Sequence, residues 1–144
     1  MQRTLVKDIT SHEGKDVMLL GWVAVRRDHG KIIFIDLRDR SGIVQTVFLG
    51  KDKKLFERAS LLRHEWVVKI VGTVNKRPDN MVNPDLLTGH HEVLVKELEV
   101  LNEAQTLPIA VDTDGYEIGE ESRLKYRYLD LRRPRLQKNL KYRH

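Results

Sequence analysis

The sequence predicts a mainly β fold: a small five-stranded Greek-key barrel with a helix between its third and fourth strands, followed by an extended and helical hinge. Three observations carry this. Apolar, β-branched runs alternate with turn signals rich in Gly, Asp and Asn. The hydrophobic period changes once, to helical spacing, at Leu55, Ala59 and Leu62. The resulting order is three strands, one helix, then two strands.

The elements follow in turn. Val6 to Lys15 reads as a short helix or turn stopped by Gly14. Val17 to Val25 is the first strand, ended by the turn Arg26-Arg27-Asp28-His29-Gly30. Lys31 to Leu37 is the second, and Arg38-Asp39-Arg40-Ser41-Gly42 turns the chain into a third, Ile43 to Leu49. Lys51 to His64 holds the helix. Glu65 to Val74 and His91 to Leu101 are the last two strands, separated by a long loop, Asn75 to Gly89, rich in Pro, Asn, Asp and Gly. Gly21 and Gly72 fall inside strands, where a tight barrel needs bends or bulges. This order is that of the OB-fold, which binds nucleic acids or oligosaccharides. Another small β-barrel or an open α+β sheet would satisfy the same pattern.

Length and composition bound the function. The 144 residues suffice for one compact domain and some further chain. With 40% apolar and 33% charged residues, the composition is globular rather than disordered. No apolar run has membrane-spanning length, and Met1-Gln2-Arg3-Thr4-Leu5 lacks the apolar stretch of a signal peptide, so a cytoplasmic location without a membrane partner is expected. The absence of cysteine excludes disulfides and thiolate metal sites. The net charge of +5 is uneven: from Arg123 to His144 nine Lys/Arg face one acid, Asp130, a local +8 that leaves −3 for the rest. RNA affinity in the body must therefore come from a local patch. For the tail, a solvated helix or linker is the ordinary reading.

Strand alternation sorts the side chains. With Val23, Val25, Ile33, Ile35 and Leu37 inside, and Val44, Thr46 and Phe48 packed inward, Arg26, Phe34, Asp36 and Gln45 point outward. Arg26, Phe34 and Gln45 then share one face. An exposed aromatic is a stacking platform for an unpaired base, an amide can donate to and accept from a base edge, and an arginine can hold a phosphate or base. Taken singly, Phe34 would more often be core and Gln45 plain surface; the combination points to nucleic acid. His29 alone is an ordinary turn histidine. His90-His91-Glu92 is a poor metal site, because neighbours in a strand face opposite ways and no second cluster accompanies them. Trp22 and Trp66 are expected in core or barrel-end packing. No phosphate loop, nucleophile elbow or metal pair is present, so no catalytic residue and no metal ligand is assigned.

Glu121-Ser122-Arg123-Leu124-Lys125-Tyr126-Arg127-Tyr128-Leu129-Asp130-Leu131-Arg132-Arg133-Pro134 closely resembles the hinge of bacterial-type aspartyl-tRNA synthetases, class II enzymes. Gly21-Trp22-Val23, Arg26-Arg27-Asp28, Ile33 to Asp39, Gly42-Ile43-Val44-Gln45, Thr88-Gly89 and Glu92-Val93 resemble the same family, in order. The resemblance implies an anticodon-binding OB-fold over residues 1–104, a hinge over 105–134, and the start of a catalytic domain over 135–144, so that the chain is expected to be the N-terminal piece of a longer enzyme and inactive alone. It implies a parent aspartate–tRNA ligase that uses ATP and magnesium, a homodimeric parent, and a monomer or weak dimer for this chain. Lysyl- and asparaginyl-tRNA synthetases share the domain and are the near alternatives.

Residue by residue, the resemblance gives Phe34 the stacking contact to the middle anticodon base, a uridine, and Gln45 the hydrogen bonds to it. Arg26 lies near the first two positions, and Glu92 near the third. Discriminating members often have Leu where this chain has His29, and often a Lys in the loop around Asn80-Met81-Val82, which holds none. An imidazole can donate or accept by tautomer. The expected partner is therefore aspartate tRNA (anticodon GUC), together with asparagine tRNA (GUU). A free-standing OB module that binds single strands without sequence preference is the alternative; such modules show several exposed aromatics and a basic groove, whereas aromatics are 6% here and the body is acidic.

Overall fold

The computed structural model describes all 144 residues, which form two compact units, Met1–Ala104 and Gln105–His144. In the first unit a 3-10 helix, Val6–His12, precedes strands β1 (Asp16–Asp28), β2 (Ile32–Asp39) and β3 (Gly42–Leu49). Helix α1 (Lys53–Leu61), β4 (Val67–Lys76) and β5 (His91–Asn102) follow. The strands close into a barrel in the order β1-β2-β3-β5-β4. Only β3 and β5 pair in parallel; the other seams are antiparallel. This is the five-stranded OB-fold expected from the sequence.

The strands run further than their apolar cores suggest. Arg26, Arg27 and Asp28, expected in a turn, stay in β1 because Ile35, Phe34 and Ile33 of β2 pair with them. The turn proper is short: Gly30 takes a φ of 76°, and its N–H donates to Asp28 Oδ1 at 2.9 Å. Helix α1 is shorter than its periodicity, since Asp52 caps it at Leu55 N (3.0 Å) and Leu62 turns to extended backbone at ψ 139°.

Ile33, Ile35, Leu37, Val44, Phe48, Val68, Ile70, Val74 and Val93 fill the barrel, joined by Val6 and Ile9 of the 3-10 helix and by Leu55, Ala59 and Leu62 from the α1 region. Thr46 also points inward, its hydroxyl donating to Ile35 O at 2.9 Å. Two strand glycines let backbones approach closely. A Cβ at Gly21 would lie 2.4 Å from Arg38 O, where β1 passes from pairing with β4 to pairing with β2. At Gly72, next to a bulge, it would lie 2.4 Å from Leu94 O.

Two expectations fail here. Val25 is not interior. The β1–β2 ladder slips between Val23 and Val25, leaving Ala24 unopposed, so alternation reverses beyond it. The residues after α1 hold this bulge: Val23 O accepts from Glu65 N (2.8 Å), Val23 N donates to Trp66 O (3.0 Å), and Ala24 O meets His64 Nδ1 (2.7 Å). Trp22 is exposed on the outside of β1 with the Arg38 guanidinium 6.0 Å from its ring centre, whereas Trp66 packs against the core.

The second unit carries three short helices, α2 (Glu120–Lys125), α3 (Arg127–Asp130) and α4 (Pro134–Arg143). Its centre is ionic. Asp130 and Arg133 are both fully buried and joined at 2.7 Å. No helix of the chain is long and apolar enough to cross a membrane.

Candidate nucleic-acid interface

The ladders define one outer face across β1, β2, β3 and β5. Paired residues point to the same side of a sheet. Arg27 opposes Phe34, and Val25 opposes Asp36. Phe34 opposes Val47, and Asp36 opposes Gln45. Gln45 in turn opposes Glu92 across the parallel seam. Phe34, Gln45 and Glu92 thus come together on three successive strands. Phe34 is half-buried on the outer side of the barrel. His29 stands beside it on the β1–β2 turn, exposed, its ring 5.5 Å away and edge-on at 80°.

Arg26 does not join them. Beyond the bulge it opposes Ile35, and its guanidinium donates to Ser60 O near the end of α1. A cation there also complements the negative end of the helix. The arginine on the face is Arg27. Its two terminal nitrogens reach Asp36 at 2.8 and 2.7 Å, and one of them lies 3.4 Å from Gln45 Oε1. The hydrogen bonds to Asp36 raise the Arg27 guanidinium above its ordinary value, so it is a permanent cation.

The network continues past Gln45. Its Nε2 donates to Glu92 Oε2 at 3.1 Å, and Arg77 Nε lies 3.8 Å from that same oxygen. Arg77 sits just past β4, where its N–H closes the neck of the long loop onto His90 O at 2.8 Å. Gln45 is only 9% exposed. The face thus has an aromatic platform, a buried amide with donor and acceptor both held, and an alternation of two arginines with two carboxylates. Such a surface offers stacking and edge recognition of a few bases, not a uniformly basic track.

Of the residues singled out in the sequence, Phe34, Gln45, Glu92 and His29 lie together here, and Arg27, Asp36 and Arg77 join them without having been singled out. The signal for Arg27 was the adjacent Arg26-Arg27 pair, of which strict alternation put Arg26 outward, whereas the bulge sets Arg27 on this face. His91, by contrast, faces away toward Glu13 Oε2 at 3.2 Å, and no group of three His, Cys, Asp or Glu is placed to hold a metal.

The chain is 52% identical over 136 residues to an aspartate–tRNA(Asp/Asn) ligase of Halothermothrix orenii, covering 94% of this chain and 23% of that protein. It is 53% identical over 127 residues to the enzyme of the same name from Moorella thermoacetica, covering 88% and 21%. The chain therefore spans under a quarter of the length of these relatives. Among solved structures, asparaginyl-tRNA synthetase from Pyrococcus horikoshii, complexed with asparaginyl-adenylate, superposes with a TM-score of 0.73 at 30% identity, covering 93% of this chain and 30% of that one. A family model described as an OB-fold nucleic acid binding domain matches residues 17–101, spanning all five strands, and the chain belongs to that family.

Proposed function

We propose that this chain is the anticodon-binding part of an aspartate–tRNA ligase and that the β2–β3–β5 face reads the anticodon loop. The observation that carries the reading is the register that sets Gln45 opposite Glu92, with Phe34 diagonal to Gln45 on the same outer face. Identity of about half to two aspartate–tRNA(Asp/Asn) ligases over most of the chain supports the choice of RNA. In this reading Phe34 stacks on the middle base, a uridine, and Gln45 takes its edge. Arg27, on the face, replaces Arg26 as the arginine of the set. His29 and Glu92 face the third base. Cytosine and uracil differ there by an amine against a carbonyl, and an imidazole can serve either by tautomer. The partner tRNAs are accordingly those of aspartate and asparagine.

ATP and magnesium would serve the parent enzyme by activating aspartate. No residue of this chain is assigned to either, and no chemical step runs through it. The parent enzyme is taken to act as a homodimer in the cytoplasm, with this chain alone a monomer or weak dimer.

The test is the affinity of the chain for anticodon stem-loops bearing GUC, GUU and GAC at two salt concentrations, since phosphate contacts make affinity salt-dependent. GUC and GUU are expected to bind alike, and GAC much more weakly, with Phe34→Ala removing the difference. Equal binding of all three with a steep salt slope would make the module a non-specific single-strand binder instead.

A further inference from the structure

Gln45 is the one group on the face whose two ends are chemically different yet nearly the same shape. A free glutamine amide turns over easily and can offer its oxygen where its nitrogen was. That matters for a reader of bases. Uracil presents an N–H at N3 beside a carbonyl at C4, while cytosine presents a bare N3 beside an amine. An amide that turns over serves both.

Here the amide is held at both ends. Arg27 can only donate, and it meets Oε1 at 3.4 Å. Ionised Glu92 can only accept, and it takes Nε2 at 3.1 Å. Turning the amide over would set its N–H against the guanidinium and its oxygen against the carboxylate, two repulsive contacts in place of two attractive ones. Neither holder is loose. Arg27 is forked by Asp36 at 2.7 and 2.8 Å, and Glu92 also faces Arg77 at 3.8 Å. The amide, 9% exposed, has little water to compensate for a wrong orientation.

An amide carries two acceptor sites and two donor hydrogens. Arg27 and Glu92 occupy one of each, leaving one acceptor and one donor in fixed order. We propose that Arg27 and Glu92 are positioning residues that lock the Gln45 amide in one orientation, so that the face accepts a keto-edged base such as uracil and refuses an amino-edged one such as cytosine. This rests on the reading of the face as the seat of the middle anticodon base. In the productive order the uracil N3–H donates to Oε1 and the C4 carbonyl accepts from Nε2. Asp36 acts one step further back, by fixing Arg27.

The experiment compares GUC and GCC stem-loops, which differ only in the middle base, on the wild-type chain, Glu92→Gln and Asp36→Asn. A glutamine at position 92 can present either a donor or an acceptor, so the lock opens on that side. The wild type is expected to prefer GUC by about tenfold or more. Glu92→Gln should reduce the preference to about threefold or less, chiefly by weakening GUC relative to GCC, and Asp36→Asn should give an intermediate ratio. The Gln45 side-chain NH2 signals of the RNA-free chain supply a second readout: the proton bonded to Glu92 is expected downfield of its free-amide position, and should move back toward it in Glu92→Gln and to a smaller extent in Asp36→Asn. Should Glu92→Gln fail to fold, Asp36→Asn carries the test. An unchanged GUC/GCC ratio in the folded variants, with unmoved Gln45 signals, overturns the lock while leaving the anticodon reading intact. A wild type that binds GUC and GCC alike overturns both.

Discussion

The two units of this chain are held together by different physics. The barrel buries a continuous set of aliphatic side chains with Phe48 among them, and its buried charges, Asp39 and Glu65, sit at strand ends and connections. In Gln105–His144 the buried apolar side chains are Ile109 and Leu129, and the largest fully buried one is an arginine, Arg133. Each nitrogen of that guanidinium is bonded: to Asp130 Oδ1 at 2.7 Å, to Thr113 O and Ala110 O at 2.6 Å each. Asp130 in turn takes Arg123 at 3.1 Å and Arg127 at 3.4 Å. A short segment with little apolar surface can order itself around a buried charge only when that charge is paired and hydrogen-bonded. The difference teaches where each unit is vulnerable: the barrel to lost volume, the second unit to a lost charge.

The largest expected effect follows. Asp130→Ala leaves Arg133 buried and short of a partner, and removing one member of a buried pair costs about 3–5 kcal/mol. The amides of residues 105–144 should lose hydrogen-exchange protection while those of the barrel keep theirs. Phe48→Ala should do the reverse at a similar cost, about 3–5 kcal/mol. If either substitution melts both units equally, they do not differ as described.

Acid is the next test. The Asp130 carboxyl is held below the ordinary carboxylate range, first by hydrogen bonding to Arg123 and then to Arg133, against the opposing effect of burial. A carboxylate lowered in the folded state contributes stability that is complete above its unfolded value, about 3.9. That contribution is lost as pH falls through the lower folded value. Asp39 is lowered too: burial pushes it up, but bonds from Ser41, Val6 and Gly42 outweigh it. The barrel keeps its apolar core when Asp39 is protonated; the second unit loses its centre with Asp130. Residue-resolved exchange on lowering the pH below about 4 should show residues 105–144 opening first.

This contrast was only half legible in the sequence. The barrel was, because alternation and turn residues report burial directly. The outward facing of Phe34 and Gln45 followed from it, since their strands pair without slips at those positions, whereas Glu92 came only from the family resemblance. Arg27 was not legible. One extra residue at Ala24 reverses the facing of everything after it in β1, and the hydrogen bonds that hold the bulge come from Glu65, Trp66 and His64, some forty residues away. The ionic centre was not legible either. Nine cations around one acid gave a charge run that reads as solvated. Which of them turn inward depends on carbonyls at Ala110 and Thr113, and backbone acceptors have no sequence signature.

A smaller effect separates function from stability within the barrel itself. Phe34 and Phe48 lie on opposite faces of the same pair of strands, one half-exposed and one fully buried. Phe34→Ala should weaken binding of the GUC stem-loop by about 1–3 kcal/mol, the worth of one stacked base. Thermal unfolding should move far less than it does for Phe48→Ala. A large loss of stability with unchanged RNA affinity would place Phe34 in the core and not on the reading face.

The smallest effect uses two glycines that share a backbone conformation. Gly30 and Gly115 have φ of 76° and 80°. A side chain at either must adopt the left-handed region, at a cost of about 1–2 kcal/mol. At Gly30 a Cβ would meet nothing within 4 Å, whereas at Gly115 it would lie 2.6 Å from Arg133 Nε. Gly30→Ala should therefore cost the barrel about 1–2 kcal/mol and no more. Gly115→Ala should cost its own unit that amount plus the displacement of Arg133 from its carbonyls. The excess of the second loss over the first, measured by hydrogen exchange in each unit, isolates the seat of the buried arginine from backbone strain. Equal losses would mean that Arg133 can shift without harm, and the ionic centre would then be a consequence of the second unit's fold and not its cause.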